Sequence, residues 1–375
     1  MKKVVIAIDS FKGCLPSAEA GKAAAEGIRS VYPECEVICL PIADGGEGML
    51  DVLITATNGQ EVPISAHDPL MRWRNTYYGI SENGETAFIE MASISGLPLV
   101  PPEKRNPMLT TTYGTGEIIS DALERGCRNF IIGIGGSATN DAGLGMLQAL
   151  GFHFSDKEGK EVGTGRGEIL IKVAHIDSTF VHPALNSCRF TVACDVQNPF
   201  YGPEGAAYVF APQKGADREM VEALDAGLQN LAEVIRHTTG KDISHHPGAG
   251  AAGGMGGSLL AFLNAELKPG IQLMLEALDF SNKIKSADLI ITGEGKADRQ
   301  TLMGKVPSGI LAEARKQDIP VILLAGNIED SDELQQAGFE GVFSVNPPFI
   351  SLEEAMRPEV ARKNIQQTVE CICKK

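Results

Sequence analysis

Polar side chains that could bind phosphate or a metal ion follow short apolar runs of this sequence. The run "VVIAI" is followed by Asp9, Ser10 and Lys12, and four further apolar runs end in a similar way. The residues after those four runs include Asp44; Ser137, Thr139, Asn140 and Asp141; Asp195; and Glu294, Lys296 and Asp298. Carboxylates can hold Mg²⁺ or accept a proton, and lysines and hydroxyls can bind phosphate. Ligands of open α/β sheets bind outside the carboxyl ends of the strands, so these side chains are candidates for one site.

The motif "FIIGIGGSATNDAGLGMLQALG" combines an apolar run, a glycine-rich turn and a helix-like pattern. One interpretation is a dinucleotide loop. Gly133, Gly135 and Ala138 fit G-x-G-x-x-A, and Asp156 lies near the offset of a ribose-binding acid. Asp141 counts against this interpretation, because an acid near a helix start repels the pyrophosphate that this positive end attracts.

A loop for phosphoryl transfer accounts for the same residues better. The turn offers backbone amides and hydroxyls to phosphate, and nearby carboxylates could hold Mg²⁺. The sequence has neither a Walker A box nor the motif set of protein kinases. Lys305 does follow Gly304, but Val306 stands where the box requires Ser or Thr. The motif therefore favours a phosphate-binding loop of another type.

Composition excludes some partners. The net charge of the 375-residue chain is -15, which argues against nucleic acid, because a phosphate backbone needs a basic surface. The first apolar run is too short for a signal peptide, and no run reaches the roughly 20 apolar residues of a membrane span. The eight cysteines include no C-x-x-C pair and lie mostly in apolar runs, so we expect reduced thiols. These features predict a cytoplasmic protein without a membrane partner.

Strand and helix patterns alternate at both ends of the chain and predict parallel βαβ units. Between them, Asn83-Gly84 is a hairpin signal, and "AAYVFAP" has the pattern of a further strand. We therefore expect an α/β fold of two domains. A discontinuous domain would comprise residues 1–70 and 285–375, and an inserted α/β domain would comprise residues 71–284. The active site would lie in the cleft between them.

Eight longer motifs together resemble those of the bacterial class I glycerate kinases. They cover nearly the whole chain in the family's order: "DSFKGCLPS", "PIADGGEGML", "EMASISGLPL", "TTTYGTGEII", "GIGGSATNDAGLGMLQALG", "ACDVQNPFYGPEGAAYVFAPQKGA", "PGAGAAGGMGGSLLAFLNAELKPGI" and "TGEGKADRQTLMGKVPSG". Pro16, Met49 and Ala142 are mild departures that remove no charged or hydroxyl group. The resemblance implies that the discontinuous domain is a flavodoxin-like parallel-sheet domain. It also implies an ATP- and Mg²⁺-dependent enzyme that converts D-glycerate to 2-phosphoglycerate.

Roles for single residues follow from their chemistry once this activity is assumed. The residues expected to contact glycerate or the transferring phosphoryl group are Ser10, Lys12, Asp44, Gly45, Gly46 and Glu294. Nucleotide phosphates would meet Gly135, Gly136, Ser137, Thr139, Asn140 and Lys214. Asp195 is the first choice for a catalytic base or a Mg²⁺ ligand, and Glu294 and Asp298 are the second choice. Asp141 is a further candidate metal ligand. Lys12 is expected to be catalytic.

Two other classes of function stay open at this point. One is a nicotinamide-dependent oxidoreductase of a small hydroxy acid, and the other is a non-catalytic sensor of a sugar acid. The sequence does not decide between a monomer and a homo-oligomer, nor between phosphate on O2 and on O3 of glycerate.

Overall fold

Buried apolar strands alternate with helices in the computed structural model of the chain, which describes residues 1–46 and 48–374. They form two compact units. The first unit joins Met1–Asp44 to Ile271–Lys375, and the second unit is Gly45–Gly270. Among the described residues, no helix is both long and apolar enough to cross a membrane.

The first unit contains a five-stranded parallel sheet in the order β13-β12-β11-β1-β2. Its strands are β1 (Lys3–Ile8), β2 (Glu36–Cys39), β11 (Leu289–Ala297), β12 (Val321–Ile328) and β13 (Gly341–Ser344). Its helices are α1 (Ser17–Val31), α9 (Gly270–Ala277), α10 (Phe280–Lys283), α11 (Val306–Arg315), α12 (Ser331–Gln336), α13 (Leu352–Ala355) and α14 (Pro358–Cys373). Helix α9 begins at Gly270, one residue before the second segment of this unit begins at Ile271.

Both faces of this sheet are covered, which explains why its central strands are apolar throughout. Helices α1 and α14 pack together over Ile6 and Ile291, which belong to one buried cluster. Val5 and Ile290 alternate with those residues and are also fully buried, and α11 packs against β1 and β11. The parallel strands therefore present their carboxyl ends together at one edge of the sheet.

The second unit contains a six-stranded sheet in the order β10-β9-β6-β5-β4-β3. Its strands are β3 (Gln60–His67), β4 (Trp73–Ile80), β5 (Thr86–Glu90), β6 (Asn129–Gly133), β9 (Arg189–Ala193) and β10 (Glu266–Lys268). The β3–β4 and β4–β5 pairs are antiparallel, and β5, β6, β9 and β10 run parallel. Strands β7 (His153–Ser155) and β8 (His175–Asp177) form a separate antiparallel pair.

The helices of the second unit surround a large apolar core. They are α2 (Met49–Ala56), α3 (Ala92–Ser95), α4 (Tyr113–Glu124), α5 (Leu144–Ala149), α6 (Ala206–Phe210), α7 (Arg218–Thr239) and α8 (Met255–Phe262). Phe130 and Phe190 are paired on neighbouring strands of the sheet, and their rings stack with centroids 4.7 Å apart. This contact holds β6 and β9 together beneath the loops that follow them.

The structure confirms the α/β class and the hairpin at Asn83-Gly84, where Gly84 has a φ of 75°. The strand predicted for "AAYVFAP" is wrong, because these residues form α6. Ala206 and Ala207 are fully buried there, whereas the bulky Tyr208 and Val209 are exposed. Small residues on one side allow a helix to pack closely, and strand propensity gives way to that packing.

The compact units differ in their bounds from the two domains expected from the sequence, which divided after residues 70 and 284. Residues 45–70 group with the second unit because β3 pairs with β4 along its whole length. Residues 271–284, which carry most of α9 and all of α10, group with the first unit.

Candidate active site

The carboxyl ends of β1, β2 and β11 bring charged side chains together in the first unit. Asp9, Ser10 and Lys12 follow β1, Asp44 lies beyond β2, and Glu294 is within β11. All of them line one cavity of about 420 Å³, together with Lys305 at the start of α11. Of the six residues predicted to bind substrate, Ser10, Lys12, Asp44 and Glu294 therefore line one pocket, and Gly45 and Gly46 are not among its lining residues.

Two lysines in this cavity each lie close to a carboxylate. Lys12 Nζ lies 3.8 Å from Asp44 Oδ2, and Lys305 Nζ lies 3.6 Å from Glu294 Oε2. The hydroxyl of Thr301 donates a hydrogen bond of 2.6 Å to Glu294 Oε1. Burial raises the pKa of Glu294, and the bond from Thr301 and the charge of Lys305 oppose that shift. Glu294 is thus held in place, whereas the Lys12 side chain is 67% exposed and free to meet a ligand.

Asp9, which follows the first apolar run and has no role assigned from the sequence, also belongs to this cluster. Its side chain is buried, and its Oδ1 accepts a hydrogen bond of 2.7 Å from the backbone amide of Ser10. Burial, followed by the negative charge of Asp44, raises the pKa of Asp9 to about 7. An acid directly after a wholly buried strand needs a partner or has a function, so the position of Asp9 favours a role for it in the site.

The glycine-rich loop after β6 is the second group of candidate residues, and it lies in the second unit. Gly135 and Gly136 are exposed, and Gly136 has a φ of 70°. The side chains that follow turn inward: Ser137 is 8% exposed, and Thr139 and Asn140 are fully buried. The loop thus presents backbone to solvent and hides its polar side chains.

Lys214 lies beneath this loop. Its ammonium group donates to Ser137 Oγ at 2.8 Å and to the carbonyl of Thr139 at 2.6 Å, and the residue is only 2% exposed. Burial lowers the pKa of Lys214 to about 7, although the charge of Asp141 acts in the opposite direction. The structure therefore brings the proposed nucleotide residues together, with Lys214 supporting the loop from below.

Asp141 has a different environment from the one expected of a metal ligand. Its carboxylate is fully buried and accepts hydrogen bonds from the amide and the hydroxyl of Thr112, both at 2.8 Å, and from the amides of Gly143 and Gly145. Burial raises its pKa against these bonds. Four donors already surround the two oxygens, so the geometry favours a structural role at the start of α5 over the metal role predicted above.

The second glycine-rich stretch, residues 248–257, packs against the first. The amide of Ala142 donates to the carbonyl of Gly253 at 3.0 Å. A Cβ at Gly253, whose φ is 67°, would lie 2.1 Å from the carbonyl oxygen of Thr139. These glycines allow two backbones to approach each other. Within the described residues, the amide group of Asn140 and the hydroxyl of Thr139 have no hydrogen-bond partner although they are buried.

Asp195 follows β9 in the second unit and is exposed. Its Oδ1 accepts a hydrogen bond of 2.8 Å from the amide of Gly270, the first residue of α9. Gly45 is close by: with a φ of 87°, a Cβ there would lie 2.6 Å from the Cα of Gly270. Asp195 therefore has the backbone partner expected of an acid at a strand end, and its exposure leaves it accessible to a ligand.

Asp298 belongs to the first unit. It caps the 3-10 turn Arg299–Leu302 by accepting from the amide of Gln300 at 2.8 Å. Lys296 Nζ lies 3.3 Å from Asp298 and 2.9 Å from Glu329. No group of three or more acidic, cysteine or histidine side chains in residues 1–46 and 48–374 is arranged to hold a metal ion.

Ligands of open α/β sheets bind at the carboxyl ends of the strands, and the acids and lysines at this edge define an α/β protein with a small-molecule site. The comparisons with known proteins give the particular family: the chain belongs to the glycerate kinase family, whose model matches residues 4–375. The chain is 47% identical to a glycerate kinase of Bacillus subtilis (strain 168), over 94% of this chain and 92% of that one. It is 48% identical to a glycerate 2-kinase of Escherichia coli (strain K12), over 95% of this chain and 93% of that one.

A solved structure supports the same assignment. The crystal structure assigned to glycerate kinase 2 of Salmonella typhimurium LT2 superposes with a TM-score of 0.91 at 43% sequence identity. The match covers 100% of this chain and 97% of the other. The family resemblance stated from the motifs is thus confirmed, and the nicotinamide-dependent alternative receives no support from these relatives.

Proposed function

We propose that this protein transfers the terminal phosphoryl group of ATP to D-glycerate and releases 2-phosphoglycerate. The proposal is based on the sequence match to glycerate kinases, which extends over nearly the full length of this chain and of each relative. Membership of a kinase family implies ATP as the phosphate donor. The relative named glycerate 2-kinase supports transfer to the hydroxyl on the second carbon.

The charged cavity of the first unit is the proposed site of the glycerate and of the transferring phosphoryl group. Lys12 is the catalytic cation, because its exposed ammonium can meet negative charge that grows in the transition state. Ser10, Asp44 and Glu294 would position the hydroxyl groups of glycerate. The backbone turn at Gly45-Gly46 is assigned to the same substrate.

The glycine-rich loop of the second unit is the proposed binding site for nucleotide phosphates. Backbone amides and hydroxyls that face a phosphate are the usual way such loops bind it. Gly135 and Gly136 would contact the phosphates directly, because their backbone is exposed. Ser137, Thr139, Asn140 and Lys214 are buried, so we assign them the role of positioning residues that hold the loop in shape.

Asp195 stays the first choice for the catalytic base, and Asp9 is added as a second candidate. An efficient base has a pKa near the working pH, and the pKa of Asp9 is about 7. Both carboxylates lie at the ends of parallel strands, where substrates of α/β enzymes bind.

Phosphoryl transfer implies Mg²⁺, and a small number of the carboxylates present could bind this ion. Mg²⁺ usually takes only one or two protein carboxylates and completes its shell with water and phosphate oxygens. Asp195 or Asp298 can supply such a carboxylate, whereas Asp141 cannot without losing its hydrogen bonds. When bound, the ion would neutralise charge on the phosphates.

A cytoplasmic setting is the remaining part of the proposal. All eight cysteines lie within the described residues, and none of them is in a disulfide. Free thiols are typical of proteins from reducing compartments. Light scattering on the purified protein would give the oligomeric state, which we leave open between monomer and homo-oligomer.

The test of this proposal is an ADP-release assay with ATP, Mg²⁺ and D-glycerate. ADP formation that depends on glycerate is the expected result. Absence of ADP formation, combined with a change in absorbance when a nicotinamide cofactor and glycerate are added, would favour an oxidoreductase. Thermal stabilisation by glycerate without any turnover would favour a sensor.

A further inference from the structure

The side chains that line the cavity of the first unit are charged at one side of the sheet and neutral at the other. Over β2, β1 and β11 its lining is charged, as described above. Over β12 and β13 the lining is neutral and consists of Gly326, Asn327, Val345 and Asn346. Neighbouring strands lie about 4.8 Å apart, so the neutral side begins roughly 10 Å from Lys12, which follows β1.

Helix α13 and the start of α14 extend the neutral side with apolar groups. Leu352, Ala355, Met356 and Ala361 line the cavity there. Glycerate carries an oxygen on each of its three carbons and has no apolar surface to bury against these side chains. A volume of about 420 Å³ also lies within the range of ~300–1,000 Å³ that is typical of pockets for larger ligands. The neutral side must therefore serve another molecule or another part of the reaction.

Phe11, which also lines the cavity, lies over the strand backbone at the floor of the neutral side: a Cβ at Gly295 or at Gly326 would lie 3.6 Å from an atom of Phe11. Gly295 and Gly326 lie on the neighbouring strands β11 and β12, and a Cβ at Gly326 would approach the carbonyl oxygen of Gly295 to 2.7 Å. Asn346 holds this floor in place, because its Nδ2 donates to the carbonyl of Gly326 at 2.8 Å. Asn364 fixes that amide in turn, through a bond of 3.3 Å to Asn346 Oδ1. Phe11 thus adds an aromatic group to this side of the cavity, against which another ring can pack.

The rim of the neutral side exposes large apolar side chains to solvent. Leu352 is 79% exposed and Met356 is 39% exposed, and Phe349 on the preceding loop is fully exposed. Clustered apolar exposure of this kind marks surfaces that a ligand or a partner covers. Because Leu352 and Met356 also line the cavity, a ligand inside the cavity is the simplest cover.

We propose that the neutral side of this cavity binds the adenosine part of ATP. The base packs against Phe11, Leu352 and Met356, and the phosphate chain runs across the sheet towards Lys305 and Lys12. This inference rests on the proposed function for its choice of ATP as the donor. It adds a site for the nucleoside within the first unit.

Protection of a cysteine tests this site without any need for turnover. Cys14 lines the cavity and lies against α13, with its Sγ 3.9 Å from the carbonyl oxygen of Ala355. The full chain is treated with N-ethylmaleimide, and labelling of Cys14 is followed by mass spectrometry. The exposed Cys371 serves as the internal control.

Adenosine or ADP at about ten times its Kd should slow the labelling of Cys14 about tenfold and leave Cys371 unchanged. Glycerate alone should leave the labelling of Cys14 nearly unchanged. Equal labelling of Cys14 with and without either nucleotide ligand would overturn the inference.

A pair of variants separates this inference from the proposed function. Leu352→Asp should raise the KM for ATP about tenfold or more, since it places a charge against the base, and should leave the KM for glycerate within about twofold. Ile171→Asp, at an apolar residue that is 55% exposed in the second unit, is the matched control and should change neither constant. If the wild type is active and Leu352→Asp leaves the KM for ATP unchanged, the inference about the nucleoside site is wrong, whereas the proposed function stands. A wild type without glycerate kinase activity would sink the proposed function, and cysteine protection would still decide the inference.

Discussion

The ammonium group of Lys214 donates a hydrogen bond of 2.8 Å to Ser137 Oγ in a place where both side chains are buried. This bond connects the 3-10 turn Pro212–Lys214 to the glycine-rich loop after β6. The same ammonium also binds the carbonyl of Thr139, so one side chain holds two points of the loop. Lys214 therefore controls the shape of the backbone that Gly135 and Gly136 present to solvent.

Burial of Lys214 should make stability depend on pH. Its pKa is about 7 in the folded protein and has the ordinary lysine value of 10.5 in the unfolded chain, so the unfolded chain binds more protons between these values. The free energy of unfolding should therefore rise as pH increases from 7 towards 10.5. Lys214→Met should flatten this rise in urea unfolding experiments.

The partly exposed Lys241 is the control for that experiment, since it also donates to backbone carbonyls, those of Leu260 and Ala261. Lys241→Met should keep the wild-type slope. Equal slopes in Lys214→Met and wild type would contradict the account of Lys214.

Removal of the Lys12 ammonium tests its role at the transferring phosphoryl group. Lys12→Ala should lower kcat by about 10²–10³-fold, because groups aimed at transition-state charge contribute on that scale. Lys22→Ala is the matched surface control in the same unit, where Lys22 pairs only with Glu19 among the ion pairs of the described residues. Steady-state kinetics with ATP and glycerate measure both variants. A Lys12→Ala enzyme as active as Lys22→Ala would remove Lys12 from the mechanism.

Asp195→Asn separates the charge of this side chain from its hydrogen bond. The amide oxygen of Asn can still accept from Gly270, so the fold should survive. Turnover should fall by about 10²–10⁴-fold if the carboxylate takes up the proton, which is the usual contribution of a general base. Asp225→Asn is a close control, since Asp225 accepts from the amide of Gly202 at 2.7 Å in the same unit. Near-normal turnover in Asp195→Asn would show that the first choice of base is wrong.

The raised pKa of Asp9 should make the free energy of unfolding depend on pH between about 4 and 7. Its folded pKa of about 7 is above the ordinary aspartate value of 3.8, so the folded protein binds more protons than the unfolded chain between these values. Ionised Asp9 therefore costs stability, and this cost grows as pH rises from about 4 to 7, at about 1.4 kcal/mol for each pH unit.

Asp9→Asn should remove that cost. Relative to wild type, its free energy of unfolding should increase from pH 4 to 7 and stay level above pH 8. Denaturant titrations at several pH values provide the measurement. A constant difference between the two proteins over this range would contradict the raised pKa of Asp9.

Local sequence patterns are sufficient to predict the parallel strands and the polar residues at their ends, because each depends on a few consecutive residues. The position of Glu294 at the end of an apolar run is an example. The partner of Asp141 is beyond such reasoning, since Thr112 lies 29 residues earlier in the chain. The grouping of residues 45–70 likewise depends on pairing between β3 and β4, and α6 depends on its packing.

The most direct test of the proposed activity is the identity of the product formed from ATP and D-glycerate. Phosphorus NMR of the reaction mixture distinguishes phosphate on the second carbon from phosphate on the third. We expect a 2-phosphoglycerate signal that grows in step with ADP and is absent without enzyme. A product that is only 3-phosphoglycerate would contradict the position of transfer, and ATP that persists unchanged with glycerate and Mg²⁺ would contradict the proposed function itself.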